Sequence, residues 1–241
     1  MEERNTEQTL VLIKPDALKN SATGYILSQL SEYHTGLHYS ATKIVHVSKM
    51  LAEEHYAEHR GKGFFPSLLE YITGKLHYGD KPCMQRVIAI VYQGVDATKN
   101  MRTLVGPTNP MTARLEKPGC IRALGTVVPL KDSDGNVVDQ RMDNLIHASA
   151  NSEDSEREIK LWFKPEDIPP LMHTYETEIC EEYYYYKDNK LITEYETGSI
   201  CFLAPGSVAW NSDLDTLRQL LKSDEAGATL ESVVAKYLLN R

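Results

Sequence analysis

Two stretches of the chain are apolar without alternation: residues 9–13 (TLVLI) and residues 87–92 (VIAIVY). Unbroken, branched runs of this length are the pattern of strands buried on both faces. Lys14, Pro15 and Asp16 end the first run. Pro15 removes a backbone donor and pushes its predecessor into an extended conformation, so Lys14 is expected at the tip of a core strand. Between the two runs, Ile26, Leu27 and Leu30 recur at helical spacing over residues 24–33, and Gly36 breaks the chain. Residues 37–47 then alternate loosely, as a half-buried strand does. Ser48 is placed to cap a helix through about Arg60, and a short helix follows Pro66 with Leu68, Leu69 and Ile72 on one face. After Gly94 closes the second run, Asp96 starts a helix to about Val105. This alternation predicts an α+β fold, a ferredoxin-like antiparallel sheet sandwich with helices on its face or faces.

Further along, residues 106–119 hold three prolines and are expected to be a long ordered loop. Residues 122–128 are a candidate strand, and the polar turn at 131–136 is a hairpin tip by composition. A short apolar run then ends at His147, beside the small residues Ala148 and Ser149. Asn151 and Ser152 offer N-caps, and Glu153, Asp154 and Glu156 fill the first turn of a helix running to about Phe163. Pro165, Pro169 and Pro170 mark a boundary. Beyond it, residues 183–186 and 191–195 flank a polar turn as a β-hairpin, residues 198–210 suggest another strand pair, and two short amphipathic helices span about 213–222 and 230–239. The expected division is a main domain at 1–168 and a C-terminal extension, a β-hairpin plus short helices, at 169–241.

Composition narrows the chemistry. With 241 residues, 25% of them charged and 41% hydrophobic, the chain can bury a sizeable core. A net charge of -8 excludes a general attraction to nucleic acid or to an anionic membrane, so an anionic ligand must be held by a local cluster of Lys and Arg. The four cysteines form no C-x-x-C pair, which argues for free thiols in a reducing compartment. No apolar run approaches the ~18 residues of a membrane span. A cytoplasmic location and no membrane or nucleic-acid partner are expected.

Six pieces, in order, carry a resemblance: Lys14-Pro15-Asp16; His55-Tyr56 with Phe64-Phe65; Arg102 with Gly106-Pro107-Thr108-Asn109-Pro110; Lys117-Pro118-Gly119-Cys120-Ile121-Arg122; Asn144-Leu145-Ile146-His147-Ala148-Ser149; and Glu158 with Trp162-Phe163. The chain resembles nucleoside diphosphate kinases over roughly its first two thirds. The resemblance implies ping-pong transfer of the terminal phosphoryl group from a nucleoside triphosphate to a nucleoside diphosphate, through a phosphohistidine at His147. The alternative it leaves open is a catalytically weak nucleotide-binding regulator acting through its C-terminal extension. His147, Glu158, Lys14 and Tyr56 match the family's catalytic positions, with Glu158 orienting the imidazole. Lys14, Phe64, Arg102, Thr108, Arg122 and Asn144 match nucleotide-binding positions, Phe64 as the aromatic under the base. The phosphate contacts suit the residue types, since Arg grips phosphate oxygens bidentately and Lys acts as a point charge. Mg2+ is implied as an ion carried on the nucleotide phosphates rather than in a protein metal site. A homo-oligomer built from dimers is implied in the same way.

The chain departs from the family pattern in three places. Ala150 stands where the family usually has an aspartate, with Asn151 and Asp154 as the nearby substitutes. Segments 75–85 and 127–142 are longer than in short family members, and 169–241 has no counterpart in the core family. The other seven histidines, His34, His38, His46, His55, His59, His77 and His173, are expected to be structural or solvated.

Overall fold

The run at the start of the chain does become a strand buried on both sides, and its alternate side chains feed two different cores. In the computed structural model, which describes residues 6–222 and 225–238, β1 (Thr6–Ile13) is followed by α1 (Pro15–Lys19), α2 (Thr23–Gln29), α3 (Glu32–Thr35) and β2 (His38–Val45). Next come α4 (Lys49–His55), α5 (Phe65–Ile72), α6 (Lys75–Tyr78), β3 (Val87–Val95), α7 (Ala97–Val105) and α8 (Pro110–Glu116). β4 (Thr126–Lys131), β5 (Val137–Asp143), β6 (Ile146–Ala148) and α9 (Ser152–Trp162) complete the main domain. The four-stranded sheet has the order β2-β3-β1-β6, with every pairing antiparallel. This is the ferredoxin-like α+β arrangement.

Leu10 and Leu12 of β1 pack with Leu51 and Ala52 of α4 and with Ile159 and Trp162 of α9. Val11 and Ile13 pack on the opposite face with Ile26, Leu30, Ala97 and Met101. Helices therefore cover both faces, which is why the strand lacks polar alternation. β6 pairs with β1 so that Leu12 faces His147. Directly paired residues share a sheet face. His147 thus points toward α4 and α9, while Ile146 and Ala148 join the core on the other side.

Several boundaries differ from the sequence-based expectation for identifiable reasons. The expected loop at 106–119 contains α8: Asn109 caps it, its Oδ1 accepting from Met111 N–H at 2.8 Å, and Pro110 occupies the first turn, where a missing N–H costs nothing. The expected strand at 122–128 begins only at Thr126, because Ile121–Leu124 is a 3-10 turn. The helix expected through Arg60 stops at His55, and Tyr56 is its C-cap. The two strands at 198–210 form but do not pair with each other. β10 (Ile200–Leu203) joins β8 (Tyr184–Lys187), which also pairs with β9 (Lys190–Ile192); β11 (Val208–Trp210) joins β7 (Thr177–Ile179), too short to show in the sequence pattern. α10 (Asn211–Leu221) and α11 (Leu230–Leu238) follow, and Leu239, included in the expected last helix, lies outside the described residues.

The C-terminal segment is welded to the main domain. Trp210 and Ala235 are buried in the same cluster as Leu10, Leu12 and Trp162. The Trp210 indole donates to the carbonyl of Phe163 at 2.8 Å. Thr229 Oγ1 donates to Glu54 Oε2 on α4 at 2.9 Å. Among the described residues no helix is long and apolar enough to cross a membrane. The four cysteines are free.

Because Trp210 bridges both parts, Trp210→Ala is expected to cost roughly 3–5 kcal/mol, the range for emptying a buried indole site. Urea unfolding followed by fluorescence and by far-UV dichroism should show one transition shifted downward. A separate early transition of the C-terminal segment, with the main domain unshifted, would contradict the shared core.

Candidate active site

α9 begins with an Asn151 cap whose Oδ1 accepts from Asp154 N–H at 2.8 Å. Its buried stripe runs Ser155, Glu158, Ile159 and Trp162, at the i, i+3, i+4, i+7 spacing of a core-facing helix. That spacing brings a carboxylate into the core beneath the histidine on β6. His147 Nε2 lies 2.8 Å from Glu158 Oε2, and the Ser149 hydroxyl donates to the same oxygen at 2.6 Å. Glu158 is only 5% exposed at its side chain, His147 17%. Burial disfavours the Glu158 carboxylate more than any single other effect. The favourable interaction with His147 and the hydrogen bonds from His147 and Ser149 outweigh it and hold the group down at about 2. An ionised carboxylate only accepts, so Nε2 carries the imidazole proton and Nδ1 keeps its lone pair. Nδ1 has no hydrogen-bond partner among the described residues, and His147 lines a cavity of about 470 Å³.

The strand tip of β1 forms the floor of that cavity. Lys14 is buried rather than solvated, and its Nζ donates to Asn144 Oδ1 at 2.7 Å. Burial, reinforced by repulsion from Arg122, lowers its pKa to about 7, against the pull of Asp16 and Asp143. Asn144 returns a hydrogen bond from Nδ2 to the Thr108 carbonyl at 3.0 Å. Arg122 is held by carbonyls, with Nη1 on Gly106 at 2.9 Å and Nε and Nη2 on Ile146 at 3.2 and 3.1 Å; Thr108 Oγ1 is 3.5 Å from Nη1. Arg102 reaches the carbonyl of Ala148 at 3.5 Å from the exposed side of α7. None of these three cations has a carboxylate partner within ion-pair distance among the described residues. Tyr56 lines the cavity too, its hydroxyl buried and without a partner. Phe64 stands 46% exposed on the rim. All ten sequence-predicted positions, counting Lys14 once in each role, thus line one cavity.

Other residues of the site were not singled out from the sequence. His55, expected to be merely structural, packs edge-on against His147 with ring centroids 4.6 Å apart. Its Nδ1 accepts from the Trp162 indole at 3.2 Å, and burial pushes its pKa down to about 3, so it is neutral. His59 stacks on Tyr56 at 6.1 Å and lines the cavity. Asp16 Oδ2 accepts from Leu145 N–H at 2.9 Å, supporting a left-handed residue (φ 68°) two positions before His147. A non-glycine residue there costs about 1–3 kcal/mol, and the Asp16 bond offsets part of it. Only the His-Tyr and Lys-Pro-Asp strings hinted at these roles. Ala150 lines the cavity with no carboxylate of its own; Asn151 is committed to capping, and Asp154 also lines the cavity. His55, His147 and Glu158 are the group of three potential metal-ligating side chains among the described residues.

A ferredoxin-like sheet thus presents, on its edge strand, a carboxylate-braced imidazole to a cation-lined cavity. The family model for nucleoside diphosphate kinase matches residues 7–168. A nucleoside diphosphate kinase of Pyrococcus abyssi is 39% identical over 166 residues, covering 69% of this chain and 89% of its own. The crystal structure of the Aquifex aeolicus nucleoside diphosphate kinase superposes with a TM-score of 0.54 at 31% identity, over 68% of this chain and all (100%) of that one. A Borrelia burgdorferi nucleoside diphosphate kinase, solved as a transition-state mimic with vanadate and ADP, gives a TM-score of 0.51 at 27% identity, over 70% and 94% of the two chains. The chain belongs to the nucleoside diphosphate kinase family and is an enzyme that transfers a phosphoryl group from a nucleoside triphosphate to a nucleoside diphosphate.

The lowered pKa of Lys14 generates a measurable coupling. If nucleotide phosphates sit beside Lys14, as the resemblance in sequence implies, they favour its charged form and raise its pKa above about 7 on binding. Between the free and bound values, binding takes up a proton, and affinity falls as pH rises through that window. Calorimetry of ADP binding at pH 8 in two buffers of different ionisation heat should show net proton uptake, lost in Lys14→Met. A buffer-independent heat would contradict this.

Proposed function

We propose that His147 is the nucleophile and that its pairing with Glu158 at 2.8 Å carries the chemistry. The Nδ1 lone pair attacks the terminal phosphorus of a nucleoside triphosphate, the bond from phosphorus to the bridging oxygen breaks, and the diphosphate leaves with the electron pair. The Nε2 proton stays on the ring, and the Glu158 carboxylate balances the positive charge that the ring acquires. A second diphosphate attacks the phosphohistidine and reverses these steps. Lys14, Arg102 and Arg122 bind the phosphates, with Thr108 and Asn144 positioning them. The orphaned Tyr56 hydroxyl donates into the same region, and Phe64 takes the base, whose π-face any nucleotide provides. Phosphoryl transfer needs little beyond such positioning and charge stabilisation.

Mg2+ bound across the nucleotide phosphates would neutralise their charge as they approach this cluster. The three-residue donor set among the described residues, the imidazoles of His55 and His147 with the Glu158 carboxylate that His147 already occupies, is unlike the oxygen-rich environment that magnesium takes, which supports arrival of the ion with the nucleotide. The preorganised Glu158 and Ser149 bonds favour an active kinase over a catalytically weak regulator. The kinase unit is assigned to residues 1–168 and a bracing role to 169–241, since α11 packs on the helices that carry His55 and Glu158. The free thiols fit a cytoplasmic protein. β2 at the sheet margin offers an unpaired edge for assembly of a homo-oligomer.

Incubation with Mg2+ and γ-labelled ATP should leave acid-labile label on the protein that any added nucleoside diphosphate removes. His147→Ala should take no label. Glu158→Gln, which loses the carboxylate but keeps the volume, should be phosphorylated at least ~100-fold more slowly, the usual scale for losing a group that stabilises charge developing in the transition state. Undiminished label in His147→Ala sinks the assignment.

A further inference from the structure

One wall of the cavity comes from the hairpin of β4 and β5 and has no role in the scheme above. Leu130, Asp139, Gln140, Arg141 and Met142 line it. Arg141 is not a loose surface charge. Its Nε donates to Asp143 Oδ1 at 2.7 Å and its Nη2 to Asp143 Oδ2 at 3.0 Å, a side-on pair that fixes the guanidinium plane. Asp143 Oδ2 is also bonded to His77 Nε2 of α6 at 3.0 Å. The carbonyl of His77 in turn accepts from Lys19 Nζ at 2.7 Å. The two segments longer than in short family members therefore meet at one carboxylate. Asp143 is the residue before Asn144, whose amide holds Lys14.

The charge arrangement separates this arginine from the phosphate-binding ones. Lys14, Arg102 and Arg122 are hydrogen-bonded to neutral amide or carbonyl oxygens, so among the described residues no carboxylate competes with an anion for them. Arg141 already spends its charge on Asp143, so it adds little attraction for a polyphosphate. What it still offers is a flat, immobilised π-face and an Nη1 with no hydrogen-bond partner among the described residues. Those are the attributes of a group that stacks on a planar ring and donates to its edge acceptors.

We propose that Arg141 is a base-recognition residue: together with the exposed ring of Phe64 in the same cavity, its immobilised guanidinium holds the nucleobase, and the β4–β5 hairpin is a specificity element of this chain. The inference rests on the nucleotide site proposed above and adds a residue to it. Hydrogen bonds from Nη1 to ring acceptors make the affinity depend on which base is bound, whereas Phe64 alone accepts all bases alike.

The test compares a ligand that has a base with one that lacks it. ADP and pyrophosphate are titrated calorimetrically into the parent, Arg141→Ala and Arg141→Lys, the lysine variant keeping a cation that cannot stack flat. Both variants should weaken ADP roughly tenfold, the scale of one lost base-stacking contact, and leave pyrophosphate as in the parent. Parallel weakening of both ligands would make Arg141 a phosphate contact and overturn the proposal. Unchanged ADP affinity in both variants would overturn it as well. A parent protein that takes no label from ATP and binds no ADP fails at the nucleotide site itself, which separates that failure from this one.

Discussion

A buried carboxylate that accepts from an imidazole and a hydroxyl is the interaction on which this site depends. An unpaired carboxylate in that position would be expelled or protonated. Glu158 stays ionised because His147 and Ser149 both donate to one of its oxygens. The consequence reaches the chemistry directly: the proton is fixed on Nε2, and the lone pair is fixed on Nδ1. The fold supplies the two halves independently. Antiparallel pairing of β6 with β1 points His147 at the helical layer, and the apolar stripe of α9 brings Glu158 up beneath it. His55, neutral and held by the Trp162 indole, packs edge-on against His147 and brings its Nδ1 within 3.8 Å of Glu158 Oε1.

Around that pair the cations divide into two kinds by the partners they keep. Those bonded to amides and carbonyls have no carboxylate counter-charge within ion-pair distance among the described residues, and Lys14 and Arg122 are desolvated in advance, most severely Lys14. Their mutual repulsion is a cost that an incoming polyphosphate relieves. Arg141, by contrast, is compensated by Asp143, as the buried Lys236 is by Asp213 at 2.7 Å in the C-terminal segment. Among the described residues the C-terminal segment contributes no side chain to the cavity lining. It acts from behind, by closing the core shared by α4 and α9 through Trp210 and α11.

Much of this was legible in the residues. The unbroken apolar runs of β1 and β3, the breaker at Pro15, and the capped start of α9 mark two strands of the sheet, the strand end that presents Lys14 and the helix that carries Glu158. The spacing of Glu158 on α9 places it on the same stripe as Ile159 and Trp162, so its inward direction follows from periodicity. Strand order does not, because pairing of β6 with β1 joins residues more than 130 positions apart. The left-handed Leu145 and the role of Asp16 beneath it were hidden for the same reason. His55 looked structural because a histidine beside a tyrosine on a helix is at most a hint until Trp162 and Glu158 are brought to it in space. α8 was masked by its prolines, and β7 by its three-residue length. The part played by Arg141 depends on His77 and Asp143, 66 residues apart, meeting at one carboxylate.

The position of the phosphoryl group on the imidazole ring tests the central claim most directly. Protein labelled with 15N in its histidines, phosphorylated by ATP and examined by 31P–15N coupling, should carry the phosphorus on Nδ1 of His147, with the proton retained on Nε2. Phosphorus on Nε2, the nitrogen that Glu158 occupies, would contradict the account.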